Sequence, residues 1–173
     1  MRERETETQS LAEVVIVGNK SQQDLIAILR ASGVDVSQLA ESMILKTTLP
    51  VEDAIITFSQ PVTPRDLGFV RPPTTVQLFN KAREIGLELI PKAFGTHLRL
   101  WYVSQKPGSV EHVAMESVKD SRGLDGIYEL SSTINPDDGI KNLTLKFAPS
   151  PFGKRWQLND RFRFQVKHAN LGK

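Results

Sequence analysis

Residue types suited to acid–base catalysis or anion binding cluster between positions 97 and 116. The turn at 106–109 (KPGS) has Pro and Gly where a type II turn requires them, so it predicts a hairpin of strands 96–103 and 110–117. In the register that sets Val103 opposite Val110, one face of this hairpin carries His97, Arg99, Trp101, His112 and Glu116. These residues could exchange protons or hold an anion beside an aromatic ring. The alternative is a solvated or covered sheet face, and a shift of one residue in register would disperse the cluster.

A second candidate surface is the basic C-terminal region, in which cations alternate with aromatic residues. Residues 141–173 carry eight Lys or Arg against one Asp (net +7), whereas residues 1–60 carry five against nine acidic residues (net −4). The candidate binding residues here are Arg155, Trp156, Arg161 and Arg163. They could follow a phosphate backbone and stack on bases, or bind an acidic protein or the chain's own acidic half. The strict alternation over 161–164 is equally typical of an edge strand with one buried face.

Other motifs of catalysis and metal binding are incomplete. The chain has no Cys, which excludes disulfides and thiolate sites, and its three His have no i, i+4 partner. The sequence at 17–21 (VGNKS) lacks the glycines of a phosphate loop, and residues 21–44 have helix–turn–helix spacing but few basic residues. We therefore expect no metal and no cofactor. An enzyme with a His/Glu site on the 97–116 hairpin is the third hypothesis for function.

The first half of the chain predicts a small unit of strands and helices. Residues 1–9 are densely charged and predict a disordered tail. Over 10–70 the pattern indicates a strand–helix–helix–strand unit, in which Ser21 caps the first helix and Gly33 follows its end. The predicted elements are a strand at 12–17, a helix between Ser21 and Gly33, a helix at 37–45 and a strand at 53–58.

The second half predicts one helix packed on an antiparallel meander, which makes the whole chain α+β. Residues 71–73 (RPP) resemble a linker, and Thr75 is expected to cap a helix at 76–85 that Gly86 ends. Beyond it the apolar period becomes two, which predicts strands at 87–90, 96–103, 110–117, 127–131, 143–147 and 161–168. This second unit spans 74–170, and it could be continuous with the first as one domain.

Several stretches of the second half form a recognisable set. They are 67–69 (LGF), 82–91 (AREIGLELIP), 95–102 (GTHLRLWY), 114–117 (AMES), 120–123 (DSRG), Trp156 and 160–164 (DRFRF). Together, mainly over 65–168, they resemble an uncharacterised family of small proteins from uncultured bacteria. The resemblance implies a shared fold and a bacterial source, but no activity. The family often has Cys at the position of Ile90 and Pro at that of Thr96, so neither residue is essential to any shared chemistry.

Location and function follow from these observations as hypotheses. The N-terminal sequence lacks the apolar stretch of a signal peptide, and no apolar run approaches the roughly 20 residues that span a bilayer. We expect a soluble, cytoplasmic protein without membrane contact. Its predicted role is non-catalytic binding of a protein or other acidic partner, and nucleic-acid binding through the basic strands is the alternative. Exposed strand edges leave a homodimer open.

Overall fold

The structure, a computed structural model, describes residues 13–166 and has an α+β fold, as predicted. A 3₁₀ turn at Lys92–Phe94 immediately precedes the helix that begins at Gly95. The predicted tail at 1–9 and the end of the last predicted strand lie outside the described residues. In chain order the elements are β1 (Glu13–Ile16), α1 (Gln22–Ala31), β2 (Val34–Val36), α2 (Gln38–Leu45), β3 (Ala54–Thr57), α3 (Thr75–Glu84), β4 (Leu87–Glu88), α4 (Gly95–Trp101), β5 (Val110–Val113), β6 (Val118–Lys119), β7 (Asp125–Ile134), β8 (Lys141–Pro149), β9 (Phe162–Arg163) and β10 (Gln165–Val166).

Strands from both halves of the chain form the main sheet. Its order is β2-β8-β7-β5-β9, with β6 beside β7. The β7–β8 hairpin is antiparallel, but β2 pairs with β8 and β5 pairs with β9 in parallel. The sheet is therefore mixed, and the purely antiparallel meander predicted from the sequence is wrong in this respect. The strand β2 was not predicted, because three residues are too few to show a period.

The first two helices begin and end where the sequence predicts. Ser21 Oγ accepts a hydrogen bond from the Asp24 amide at 3.0 Å, and the Asp24 carboxylate accepts one from the Ser21 amide. Such a capping box satisfies two amides that the first turn leaves without partners. α1 then buries Leu25, Ile26 and Leu29, so its apolar stripe anchors the helix to the core.

The third helix differs from its prediction by one residue at the cap. Thr74, rather than Thr75, accepts a hydrogen bond from the Gln77 amide, and the Gln77 side chain accepts one from the Thr74 amide. The helix ends as expected at Gly86, whose φ of 88° is readily adopted only by glycine. The shift leaves the Thr75 hydroxyl available for a tertiary contact.

The strand predicted at 96–103 is wrong, because these residues form most of the helix α4. Every residue from Gly95 to Arg99 is buried, so the alternation of polar and apolar residues does not mark one wet and one dry face. Gly95 is needed where the helix meets the sheet, since a Cβ there would lie 2.8 Å from the Tyr128 ring. Without a strand at 96–103 the predicted 97–116 hairpin does not form, and its second strand is only β5.

The described helices are short. No helix within residues 13–166 is both long enough and apolar enough to cross a membrane.

Candidate functional site: a buried polar network and two open grooves

The structure distributes the five residues of the predicted hairpin face over three elements. His97, Arg99 and Trp101 lie on α4, and His112 lies on β5. Glu116 lies in the loop between β5 and β6, where it is exposed and 3.5 Å from the Lys92 ammonium. The predicted clustering of these residues on one face is therefore wrong, and each has a separate environment.

Arg99 forms the centre of a buried polar network that joins α4 to the main sheet. Its side chain is fully buried and donates to Gln105 Oε1 at 2.6 Å. It also donates to the carbonyl oxygens of Ser131 on β7, Thr144 on β8 and Tyr102. Burial lowers the pKa of Arg99 to about 10, partly offset by the nearby Glu111 charge, so the guanidinium is still protonated at neutral pH. Arg99 cross-links the fold and presents no charge to solvent.

A second buried arginine completes this network. Arg163, on β9, forms an ion pair with Glu111 on β5 at 3.0 Å, and both side chains are almost inaccessible to solvent. Its Nη1 donates to the Ser59 carbonyl at 2.9 Å, and its guanidinium lies 4.3 Å from the centre of the Tyr102 ring. Of the candidate residues Arg161 and Arg163, only Arg161 is exposed. Arg163 cannot contact a partner unless the core opens.

The two described histidines occupy different surroundings. His97 is buried against Val17, Lys20 and Pro50. Burial lowers its pKa, and the Lys20 charge lowers it further, so the ring is neutral at pH 7.

His112 instead packs between aromatic rings. Its ring centroid lies 4.9 Å from that of Trp156 and 5.3 Å from that of Phe162. Its Nε2 lies 3.5 Å from Glu129 Oε2, and this contact holds the pKa of the Glu129 carboxyl below its usual value. The region of the chain that the structure describes contains no group of three His, Asp or Glu that could hold a metal ion.

One open groove beside α3 is lined mainly by apolar side chains. This apolar groove has a volume of about 570 Å³ and lies between the start of α3, the β5–β6 loop and the turn after β8. Two carboxylates at its rim are each paired with a lysine, Glu116 with Lys92 at 3.5 Å and Asp125 with Lys119 at 3.0 Å. The rim therefore carries little net charge. The apolar lining consists of Val76, Phe79, Leu89, Met115, Pro151 and Phe152.

The second groove is basic and lies on the other side of α3. It has a volume of about 590 Å³, and Arg71, Lys81 and Arg155 supply its cations. Its one carboxylate, Glu84, is engaged by Lys81 at 3.1 Å. Within residues 13–166 neither Arg71 nor Arg155 has a carboxylate at ion-pair distance, so their charges are available to a ligand.

The wall between the grooves is held by hydrogen bonds from Arg155 and Trp156. Arg155 Nη1 donates to the Pro72 carbonyl at 2.9 Å, and the Trp156 amide donates to the Pro73 carbonyl at 2.9 Å. The buried Trp156 ring also donates through Nε1 to the Thr75 hydroxyl at 2.8 Å. The stretch that resembles a linker in the sequence is thus held against the segment between β8 and β9. Both grooves have a rigid shared wall.

Sequence reasoning identified only part of this surface. Of its candidate residues, Arg155 lines the basic groove and Glu116 lies at the rim of the apolar groove. Arg71 is assigned from the sequence only to a linker-like stretch, because no local pattern shows that Arg155 binds the neighbouring Pro72.

Comparison of the chain with protein-family models, with curated proteins and with solved structures finds no match. The resemblance to an uncharacterised bacterial family stays a prediction.

Proposed function

We propose that this protein is a non-catalytic binding module that binds an acidic segment of a protein partner in the basic groove. The observation that carries the proposal is the pair Arg71 and Arg155, which line one groove and have no carboxylate partner among residues 13–166. A guanidinium can hold a carboxylate through two parallel hydrogen bonds, so two such groups favour an acidic ligand. Phe69 and Val70 in the same groove supply apolar contact beside the charges.

The burial of the C-terminal aromatic residues favours a protein partner over a nucleic acid. Trp156, Phe162 and Phe164 are each at most 2% exposed, so their faces are not available to stack on bases. Phe152 is fully exposed, but it lies at the apolar groove rather than beside Arg71 and Arg155.

The arrangement of the titratable residues favours binding over catalysis. His97 is buried and neutral against α1 and its preceding loop, whereas His112 is packed between aromatic rings. Glu116 contacts Lys92 instead of either histidine. A general acid or base must reach the proton that it transfers, and these groups do not converge on one cavity. Cytoplasmic location and homodimer formation stay predictions.

The direct test is a titration of the protein with short fluorescent peptides, followed by anisotropy. A peptide rich in Glu and Asp should bind at low salt and weaken as salt rises, whereas a Lys-rich peptide should not bind. The double variant Arg71→Gln/Arg155→Gln should lose affinity about tenfold, because each of the two lost ion pairs with the peptide is worth up to about 1 kcal/mol and about 1.4 kcal/mol in total is a factor of ten.

The matched control removes the same charge elsewhere. Arg65 and Lys106 are exposed, lie outside both grooves and, within residues 13–166, have no carboxylate at ion-pair distance, so Arg65→Gln/Lys106→Gln should bind the acidic peptide as tightly as the wild-type protein. An equal loss in both double variants would indicate non-specific attraction and overturn the proposal. A labelled single-stranded oligonucleotide serves as the competing probe. If the oligonucleotide binds more tightly than the peptide and its binding requires Arg71 and Arg155, the basic groove binds nucleic acid and the proposal is overturned.

A further inference from the structure

We propose further that the partner segment reaches across the start of α3 and places one large apolar side chain in the apolar groove. This inference rests on the proposed function, because it assigns a second contact to the same acidic segment. The partner is thereby defined more narrowly, as an acidic segment with an aromatic or large aliphatic anchor. The first turn of α3 is the wall that the segment would cross.

The apolar groove has the size and lining that an anchor side chain needs. Its volume of about 570 Å³ lies within the range of about 300 to 1,000 Å³ that is typical of ligand pockets. Within the described residues, Val76 is 61% exposed and Phe152 is fully exposed. Apolar atoms of this groove are therefore in contact with solvent. Covering such atoms with an apolar side chain releases their hydration water and strengthens binding.

The charge around the apolar groove is compatible with an acidic segment. Its rim carboxylates would repel such a segment if they were unpaired, but Lys92 neutralises Glu116 and Lys119 neutralises Asp125. The attraction comes from the other side of the helix, where the unpaired Arg71 and Arg155 lie. Charge complementarity in the basic groove therefore orients the acidic segment, and apolar contact in the apolar groove adds affinity.

The shared wall fixes the spacing between the acidic residues and the anchor. Thr74 and Thr75 line the apolar groove, while Pro72, Pro73 and Gln77 line the basic groove. A helix with its side chains is about 10–12 Å wide, and an extended chain advances about 3.3 Å per residue. The anchor should therefore lie about three or four residues along the segment from its acidic group.

The rigidity of the wall makes simultaneous contact with both grooves inexpensive. The hydrogen bonds from Trp156 and Arg155 to residues 72–75 hold the start of α3 against the segment between β8 and β9 before any partner arrives. Little conformational entropy is then lost in forming the site, so the anchor's contribution should appear as affinity.

Three labelled acidic peptides test the inference. One has Phe placed four residues from the acidic group, one has Phe directly beside it, and one has Ala in place of Phe. The spaced Phe peptide should bind about tenfold to a hundredfold more tightly than the Ala peptide, and the adjacent Phe peptide should gain much less.

The variant Val76→Thr/Phe152→Ser should abolish this gain and leave the Ala peptide unaffected, because it changes no charge. Ile85→Ser is the control, since Ile85 is an exposed apolar residue just beyond α3 and outside both grooves. It should bind all three peptides normally.

The outcomes separate this inference from the proposed function. If the spaced Phe and Ala peptides bind equally, the inference is overturned while the proposed function stands. If no acidic peptide binds, both are overturned. A gain that survives in Val76→Thr/Phe152→Ser would place the anchor elsewhere and overturn the inference. Self-association of the protein through Phe152 would also overturn the inference, because a second copy would then occupy the apolar groove.

Discussion

The buried network beneath α4 and the surface around α3 use the same residue types for opposite purposes. In the network, Arg99 and Arg163 are almost completely buried, and both donate hydrogen bonds to other elements of the fold. At the surface, Arg71 and Arg155 line an open groove and have no carboxylate partner within residues 13–166. The same residue type therefore stabilises the fold where it is buried and is available for binding where it is exposed, so residue type alone does not define its role.

Burial also determines how much each charge contributes to stability. A buried ion left without its partner costs far more than an exposed one, because water cannot replace the missing contact. Substitutions in the network should therefore reduce the free energy of unfolding, whereas substitutions in the basic groove should reduce binding. This separation of stability from binding is what the following predictions test.

The largest expected effect comes from breaking the Glu111–Arg163 ion pair. Glu111→Gln leaves the buried Arg163 cation without a carboxylate and should lower the free energy of unfolding by about 3–5 kcal/mol. Urea denaturation followed by circular dichroism measures this loss.

The double variant Glu111→Leu/Arg163→Met is the control for that measurement. It removes both charges and should be more stable than Glu111→Gln, since no unpaired ion remains. If Glu111→Gln unfolds within about 1 kcal/mol of the wild type, the network does not have the structural role assigned to it.

A smaller loss is expected when Arg99 keeps its charge but loses its geometry. Lys cannot donate simultaneously to Gln105 and to the carbonyls of Ser131, Thr144 and Tyr102. Arg99→Lys should therefore cost about 2 kcal/mol, because a buried acceptor is left without its donor. A variant as stable as the wild type would show that charge alone, without the fork of hydrogen bonds, satisfies this site.

Local signals explain which parts of the fold were predictable from sequence. The caps of α1, the glycine after α3 and the antiparallel pairing of the strands predicted at 127–131 and 143–147 depend on residues close together in the chain, and these predictions are confirmed. The strand assigned to 96–103 was wrong because α4 is buried around most of its circumference, so its sequence lacks a helical period. Its helical state depends on contacts with the sheet and the N-terminal half, which no local pattern contains.

The candidate site was less predictable than the fold for a similar reason. The sequence identifies Arg99 and Arg163 as candidate binding residues by type, but only the tertiary structure shows that both are buried. It also identifies Arg155 as a candidate, but it does not connect Arg155 with Arg71, which is distant in the chain and is brought near it by the contact of Arg155 with Pro72. Charge alone does not reveal which arginines have internal partners.

A pH-dependent effect is expected from His97, which belongs to the buried region without contributing an ion pair. Its pKa is lowered by burial and by Lys20, so the unfolded state binds a proton at higher pH than the folded state. The stability that depends on a neutral His97 should therefore be present at about pH 7. It should fall as the pH drops through the unfolded-state pKa of about 6.5 towards the lower folded-state pKa.

The variant His97→Gln should flatten this part of the profile when urea midpoints are measured from about pH 7 to about pH 5. Glu129 titrates below this interval because its contact with His112 lowers its pKa, so it does not obscure the comparison. An unchanged slope in His97→Gln would mean that another group titrates here and that His97 is not held neutral by burial.

The smallest effect on stability is expected in the basic groove, where the effect on binding should be largest. Arg71→Gln/Arg155→Gln removes one hydrogen bond to the Pro72 carbonyl and no ion pair, so the free energy of unfolding should change by less than about 0.5 kcal/mol. The same urea assay should therefore place this variant with the wild type, although its affinity for the acidic peptide is reduced. If the double variant is instead destabilised as much as Glu111→Gln, these arginines stabilise the fold, and their exposure no longer indicates a binding surface.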